Sequence, residues 1–200
     1  MAEEERLDDE LRALELAGEE RGVEALGELA SAVDRMRAAG ERNRLGWALP
    51  IYARVLALAE RFDESDAAAA EALAHFRVNG SQRGQALALY AQSVVAIRRG
   101  EPARALEVTG EAVVLARAAE DPVLQVRIAN IAGGVLNDIG RLPESVQVFE
   151  EGLRASRGFP DEAVVLRLRA NLALGLARWA LREHDEHLPE AQWRPRAERA

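Results

Sequence analysis

The 200-residue sequence is 48% hydrophobic and 30% charged, contains no cysteine, and has a formal net charge of −8 at pH 7. These values exclude disulfides and thiolate metal sites, and the acidic excess argues against a nucleic-acid or anionic-membrane partner. All 26 basic residues are arginine, which we attribute to a GC-rich genome. The acidic start is unlike a secretory signal, and no apolar run is long enough to span a membrane. We therefore expect a cytoplasmic protein.

Apolar residues recur with helical spacing along the chain, which predicts helices and no strand. The "IAGGVLNDIG" stretch at 131–140 is also predicted to be helical. Gly80-Ser81 and Asp121-Pro122 have the residue types that end one helix and begin the next. We expect helix pairs over about 4–39, 41–79, 81–119 and 121–158, followed by a helix over 161–183, which Asp161 begins.

The pairs are predicted to repeat at an offset of forty residues, because small residues recur in fixed columns. Small side chains at regular places let neighbouring helices approach closely, so the pattern predicts stacked helix pairs. The columns are Ala32, Ala72, Ala112 and Gly152; Ala25, Ser65, Ala105 and Ser145; and Ala13, Ala53, Ser93, Gly133 and Ala173.

Pro50 falls inside the helix that is expected over 42–60. Proline lacks an amide donor and clashes with the carbonyl four residues earlier, here that of Gly46. The sequence therefore predicts either a kink at Pro50 or a loop in place of the first part of this helix.

Paired helices, tight turns near Gly100 and Gly140, and small residues spaced as Ser93, Ala105 and Ala112 resemble tetratricopeptide repeats. The resemblance covers about residues 4–183, although that family usually has a period of about 34 residues. The longer unit is similar to the variant of bacterial signalling proteins. The resemblance implies an all-α, right-handed superhelix of antiparallel helix pairs, with a repeat domain over 1–183 and a capping segment or linker over 184–200.

In this family the first helix of each pair lines a concave groove that binds a protein or peptide. The resemblance therefore implies a non-catalytic binding scaffold or sensory domain. Asparagine and arginine side chains in the groove would suit an acidic or C-terminal segment, whereas the family's lysine-rich carboxylate clamp cannot be intact without lysine. The residues that the resemblance places in the groove are Trp47, Arg54, Tyr90, Val94, Arg98, Arg127, Asn130, Asn137, Arg167 and Arg178.

The sequence lacks the phosphate-binding, dinucleotide-binding, HExxH and GxSxG motifs. We therefore expect neither enzymatic activity nor a cofactor. His184, Asp185 and His187 could share a metal ion on a helix, but Pro189 follows closely and favours a polar loop. We predict that no metal binds there.

Two other functions are compatible with the sequence. The chain could be the N-terminal regulatory region of a larger bacterial signalling enzyme, such as a diguanylate or adenylate cyclase, or of a LuxR-type regulator. It could instead self-associate through exposed apolar ends. Leu188, Ala191 and Trp193 in the tail could cover the last helix, or the tail could lead into an output domain.

Overall fold

The structure is a computed structural model that describes residues 13–14, 16–18, 20–157 and 162–185. Within these ranges all regular secondary structure is helical, which confirms the all-α class. The start predicted at Asp161 and the tail beyond residue 185 lie outside the described residues. After helical residues between 13 and 20 and a 3₁₀ turn at Gly22–Ala25, the helices are α1 (Leu26–Ala38), α2 (Arg42–Leu58), α3 (Phe62–Asn79), α4 (Gln82–Arg98), α5 (Pro102–Ala118), α6 (Pro122–Asp138), α7 (Leu142–Ala155) and α8 (Glu162–Asp185).

The chain forms two compact units, unit 1 over residues 1–119 and unit 2 over residues 120–200. In unit 1 each helix from α1 to α5 packs against the next, and α2 also packs against α4. In unit 2, α6 packs against α7 and α8, and α7 packs against α8. Each unit therefore contains helices that contact both their sequence neighbour and the next helix but one.

The six described turns, from that after α1 to that after α6, each use one left-handed residue. After α2, the Glu60 amide donates to the Ala57 carbonyl and the Arg61 amide donates to the Leu56 carbonyl. This is the Schellman arrangement, in which a residue with positive φ ends the helix. Arg61 then begins α3 directly, so the turn is very short. Residues with positive φ at helix ends are Gly40, Glu60, Gly80, Gly100, Glu120 and Gly140.

The two predicted helix starts are confirmed. The Ser81 hydroxyl accepts a hydrogen bond from the Gly84 amide at 3.1 Å, and the Asp121 carboxylate accepts one from the Leu124 amide at 3.0 Å. Each side chain satisfies an amide that has no partner inside the helix. Pro122 occupies the first position of α6, where its missing amide hydrogen costs nothing.

Buried hydroxyl groups join the two helices of a pair. Ser65 donates to the Ala53 carbonyl at 2.5 Å, and Ser145 donates to the Gly133 carbonyl at 2.8 Å. Both serines are completely buried, so these bonds satisfy hydroxyls that could not reach water. The small residues that the sequence aligned therefore lie where paired helices touch.

The loop alternative at Pro50 is wrong, because α2 runs unbroken from Arg42 to Leu58. Ala48, Leu49, Pro50 and Ile51 are all buried. Packing on several sides holds this stretch in the helix and outweighs the local cost of the missing amide donor.

The core of unit 2 depends on one side of α8. Val164, Leu168, Leu172 and Leu176 are buried there at a regular spacing of four residues. They pack with Phe149, which is completely buried, and with Val126, Ala129 and Val146. The opposite side of α8 takes no part in this core.

Candidate functional site

The helices α2 and α4 meet along a seam in unit 1 that two arginine–aromatic contacts cross. The guanidinium carbon of Arg83 lies 5.3 Å from the Trp47 ring centroid, and that of Arg54 lies 5.5 Å from the Tyr90 ring centroid. Both distances allow attraction between the cation and the ring face. Trp47, Arg54 and Tyr90 are half-buried, so each keeps part of its surface open to a partner. The seam thus joins three of the predicted groove residues.

Arg83 belongs to this seam but was missed by the sequence analysis. It lies 36 residues after Trp47, the same separation that joins Arg54 to Tyr90. A comparison of side chains at that separation on successive first helices would have found both contacts.

Half-buried apolar residues extend the seam along α4. Leu87, Tyr90, Val94 and Ile97 are spaced by three, four and three residues, which puts them on one face of the helix. Val94 therefore lies on the same face of α4 as Tyr90. We call Arg54, Leu87, Tyr90, Val94 and Ile97 the seam face.

Arg98 is exposed at the last position of α4 and has a structural contact. Its Nη2 donates to the Leu58 carbonyl, the last of α2, at 3.5 Å. A cation at the carboxyl end of a helix is favourable because the carbonyls there carry partial negative charge. Arg98 thus lies next to the seam face and contributes to the contact between α2 and α4.

Trp47 also contributes to the core. Its ring centroid is 4.7 Å from that of Phe76 at an interplanar angle of 59°, and Phe76 is completely buried. Replacing Trp47 would remove this packing as well as any contact with a partner. It is therefore a poor position at which to test binding alone.

In unit 2 the helices α6 and α8 meet through polar contacts. Asn171 donates to the Asn130 side-chain oxygen at 3.1 Å, and Arg178 lies 3.7 Å from the Asp138 carboxylate. Arg127 is half-buried and Arg167 is exposed. The predicted groove residues Asn130 and Arg178 thus contact a neighbouring first helix, and Asn171 is an amide that the sequence analysis missed.

Asn137 is only 4% exposed, and its side-chain oxygen has no hydrogen-bond partner among the described residues. It lies seven residues after Asn130 on α6, so the sequence could not distinguish the two positions. Its burial places it in the packing between helices, whereas the sequence analysis placed it on an open groove.

A cluster of charged residues lies beside a cleft of about 430 Å³ at the turns of unit 1. Arg99 is 2.6 Å from Asp63 and 3.2 Å from Asp66, and Arg104 is 2.9 Å from Asp66. The hydrogen bond that Arg104 donates to Asp66, together with a smaller contribution from the one it donates to Glu101, raises the pKa of Arg104. Because the charges pair α3 with α5 and with the turn that follows α4, we assign the cluster a structural role. The cleft is lined by Glu60, Phe62, Asp63, Arg98, Arg99 and Glu101.

A second cleft of about 440 Å³ lies between the turn after α1 and the side of α3. Its lining mixes apolar side chains with the ion pair between Arg37 and Glu71, whose atoms are 2.8 Å apart. The lining residues are Met36, Arg37, Gly40, Arg42, Leu45, Gly46, Leu49, Glu71 and His75. In the part of the chain that the structure describes, no three His, Asp or Glu residues could hold a metal ion. His184 and His187, at which the sequence analysis predicts no metal, lie outside the side chains described.

Taken over its described residues, the chain has no helix that is both long and apolar enough to cross a membrane. The described residues form an all-α protein in which helices that are close along the chain pack against each other. No protein-family model matches the sequence, and no curated protein sequence matches it either.

Proposed function

We propose that the chain is a tetratricopeptide-like α-solenoid with a forty-residue repeat, and that it is a non-catalytic scaffold for a protein or peptide. The helix bounds support the repeat. The first helices α2, α4 and α6 begin at residues 42, 82 and 122 and end at residues 58, 98 and 138. The small residues of the aligned columns also lie where paired helices touch, as Ser65 and Ser145 do.

The observation that carries the binding function is the seam face. It presents a half-buried tyrosine under an arginine, with three aliphatic side chains at helical spacing beside them. Tyrosine and arginine are enriched among residues that dominate binding energy at protein interfaces. The backbone beneath them is helical on both sides of the seam, so the face is preformed and little ordering energy opposes binding.

The composition of the seam face indicates the chemistry of its partner. Leu87, Val94 and Ile97 suit apolar side chains of a bound segment, and Arg54 and the neighbouring Arg98 suit a carboxylate. An acidic or C-terminal peptide with aliphatic residues has both features. This is the class of partner that we propose.

The test uses a random peptide library displayed on phage, selected against the full chain, followed by titration of the selected peptides. Tyr90→Ala should raise the dissociation constant at least tenfold, because it removes the ring that packs on the bound segment and that lies against the Arg54 guanidinium. Tyr90→Phe keeps the ring and should bind within about threefold of the parent chain.

The matched control is Val114→Ala, at a valine on α5 that is 67% exposed and lies outside the seam face. It should leave affinity unchanged. Equal affinity of the parent chain and Tyr90→Ala, with both equally helical by circular dichroism, would place binding elsewhere. Failure to select any peptide would argue against open-face recognition.

A further inference from the structure

The helix α8 has an apolar face that nothing covers among the described residues. Leu166, Leu174 and Leu181 are 66%, 54% and 66% exposed, and the exposed Ala170 and Ala177 lie between them. The spacing of four, four, three and four residues makes one continuous stripe along the helix. Because the opposite side of α8 is buried in the core of unit 2, this helix is apolar on both sides. A helix of that kind is normally covered on both sides.

The corresponding face of α6 in the same unit is covered. Val126 is completely buried and Asn137 is 4% exposed, and they lie forty residues before Leu166 and Ala177. Asn130 and Gly134, forty residues before Ala170 and Leu174, are half-buried, so this face of α6 is covered at two positions and partly covered at two more. The helix α6 packs against α8, whereas α8 has no further helix on its stripe in the described part of the chain. The stripe is therefore the kind of surface that another helix covers in a repeat protein.

The helical residues between 13 and 20 carry a second uncovered position. Leu16 is 47% exposed, although Leu56 and Ala96, forty and eighty residues later, are completely buried. Ala13 is also exposed, whereas Ala53 is completely buried. On the other side of this helix Leu14 and Ala17 are buried. This segment thus presents a short apolar face to a potential partner.

The two segments of the chain that carry these faces have net charges of opposite sign. Residues 163–182 contain four arginines and no acidic residue, and Arg167, Arg169, Arg178 and Arg182 are all exposed. Residues 1–28 contain eleven acidic residues and three arginines, and the described Glu20, Glu24 and Glu28 are exposed. Net charges of opposite sign favour contact between the two segments, and like charge opposes contact of either segment with its own copy.

We propose that the α8 stripe binds the helical 13–20 segment of a second copy of this chain, so that copies associate head to tail. This inference rests on the proposed repeat, in which Ala170, Leu174 and Ala177 stand eighty residues after Tyr90, Val94 and Ile97 of the seam face. Its test measures self-association without any peptide, so it can fail while peptide binding stands. Each contact uses a different surface on each copy, so a pair of copies still has one stripe and one 13–20 face to offer. Association can therefore continue beyond two copies, as expected for a heterologous interface.

The experiment is sedimentation velocity of the full chain over a range of concentrations, with variants at each face. Leu16→Arg removes the apolar contact at 13–20 and sets like charge against α8. Leu166→Arg/Leu174→Arg removes most of the stripe. Each variant alone should raise the dissociation constant of self-association at least tenfold. The control Val114→Arg, at an exposed valine outside both faces, should associate as the parent chain does.

Mixing the two variants gives the sharper result. Each variant keeps one intact face, and these faces are complementary, so an equimolar mixture should form a one-to-one complex. Growth should stop there because the remaining two faces both carry the introduced arginines. Formation of the complex also shows that both variants are folded.

Two outcomes would overturn the proposal. A parent chain that stays monomeric at every concentration has no such contact. If Leu16→Arg associates as the parent chain does while Leu166→Arg/Leu174→Arg does not, α8 binds something other than the 13–20 segment, such as the α8 of another copy.

Discussion

At the residue scale, the helix ends require a residue with positive φ, and this sequence supplies either glycine or glutamate there. Four of the helix ends with positive φ between residues 40 and 140 are glycines, but Glu60 has a φ of 61° and Glu120 a φ of 53°. A residue with a Cβ is strained in this region, whereas glycine is not. The two glutamates therefore mark sites where the fold imposes a conformation that the residue disfavours.

Glu60→Gly is expected to stabilise unit 1 by about 1 kcal/mol, because it relieves the left-handed strain. Urea unfolding followed by circular dichroism would measure this change. Glu60→Ala is the matched control, since it removes the same charge but keeps the Cβ. An equal gain from Glu60→Ala would show that charge, and not backbone conformation, sets the effect.

The first residues of several helices carry a charged pair in place of a conventional cap. Arg61 and Glu64 lie 2.5 Å apart at the start of α3, and Arg141 pairs with Glu144 at the start of α7. The order of charges is reversed in Glu41 with Arg44 and in Glu101 with Arg104. In either order, the ion pair joins the residue just before the helix to the third residue of the helix.

These pairs predict a pH dependence of stability. The hydrogen bond from Arg61 lowers the pKa of Glu64, and that from Arg141 lowers the pKa of Glu144. A carboxylate whose pKa is lower in the folded state stabilises the fold above its unfolded pKa, and this contribution is lost as pH falls through the folded value. Between about pH 5 and pH 3, the parent chain should lose stability more steeply than Glu64→Gln/Glu144→Gln.

Urea unfolding at a series of pH values would measure these slopes. Arg61→Gln/Arg141→Gln should reduce the slope in the same way, because it removes the partners that lower the two pKa values. Parallel pH profiles for the parent chain and both double variants would contradict this account.

At the scale of elements, the contact between paired helices is the same in each pair but is filled differently. Ser93 accepts a hydrogen bond from Thr109 at 3.1 Å. Forty residues later, Gly133 faces the ring of Phe149, and a Cβ on Gly133 would lie 2.5 Å from that ring. The complementary sizes keep the helices close in both pairs.

Gly133→Ala should destabilise unit 2 by about 1–3 kcal/mol, because the added methyl group overlaps the Phe149 ring. Its neighbour Gly134 lies in the same helix with open space around it, so Gly134→Ala should instead stabilise by up to about 1 kcal/mol. Urea unfolding followed by circular dichroism would compare them. Phe149→Leu should recover part of the Gly133→Ala loss, and equal effects of the two alanines would contradict the close approach.

At the scale of the whole molecule, the uncovered faces predict where the chain opens first. In a repeat protein each helix is stabilised mainly by its immediate neighbours. Backbone amides of residues 13–20 and α8 should therefore exchange with deuterium faster in dilute protein than those of α2 and α6. Hydrogen exchange with mass spectrometry would measure this, and exchange in α8 as slow as in α6 would contradict it. Slower exchange at 13–20 and α8 in concentrated protein would accompany head-to-tail association.

Helix positions and helix starts could be read from the sequence because they depend on residues close together along the chain. The Ser81 cap, the Asp121-Pro122 start and the apolar spacing of α4 all involve neighbours within a few residues. Aligning the sequence with itself at an offset of forty residues also placed Ser65 and Ser145 in one column, and both make the same contact with the paired helix.

Tertiary structure alone decided what depends on side chains far apart in sequence. Packing around Pro50 keeps α2 continuous, although the local rule also allows a loop there. Asn137 is buried and Asn130 is half-buried, although the two lie seven residues apart on the same helix and the sequence pattern treats them alike. The contact of Arg54 with Tyr90 needs two helices that the fold brings together. The stripe of α8 is exposed because no other described helix packs on it, which local sequence cannot reveal. Local propensity specifies the helices, but only the packing of one helix on the next determines which side chains are left for a partner.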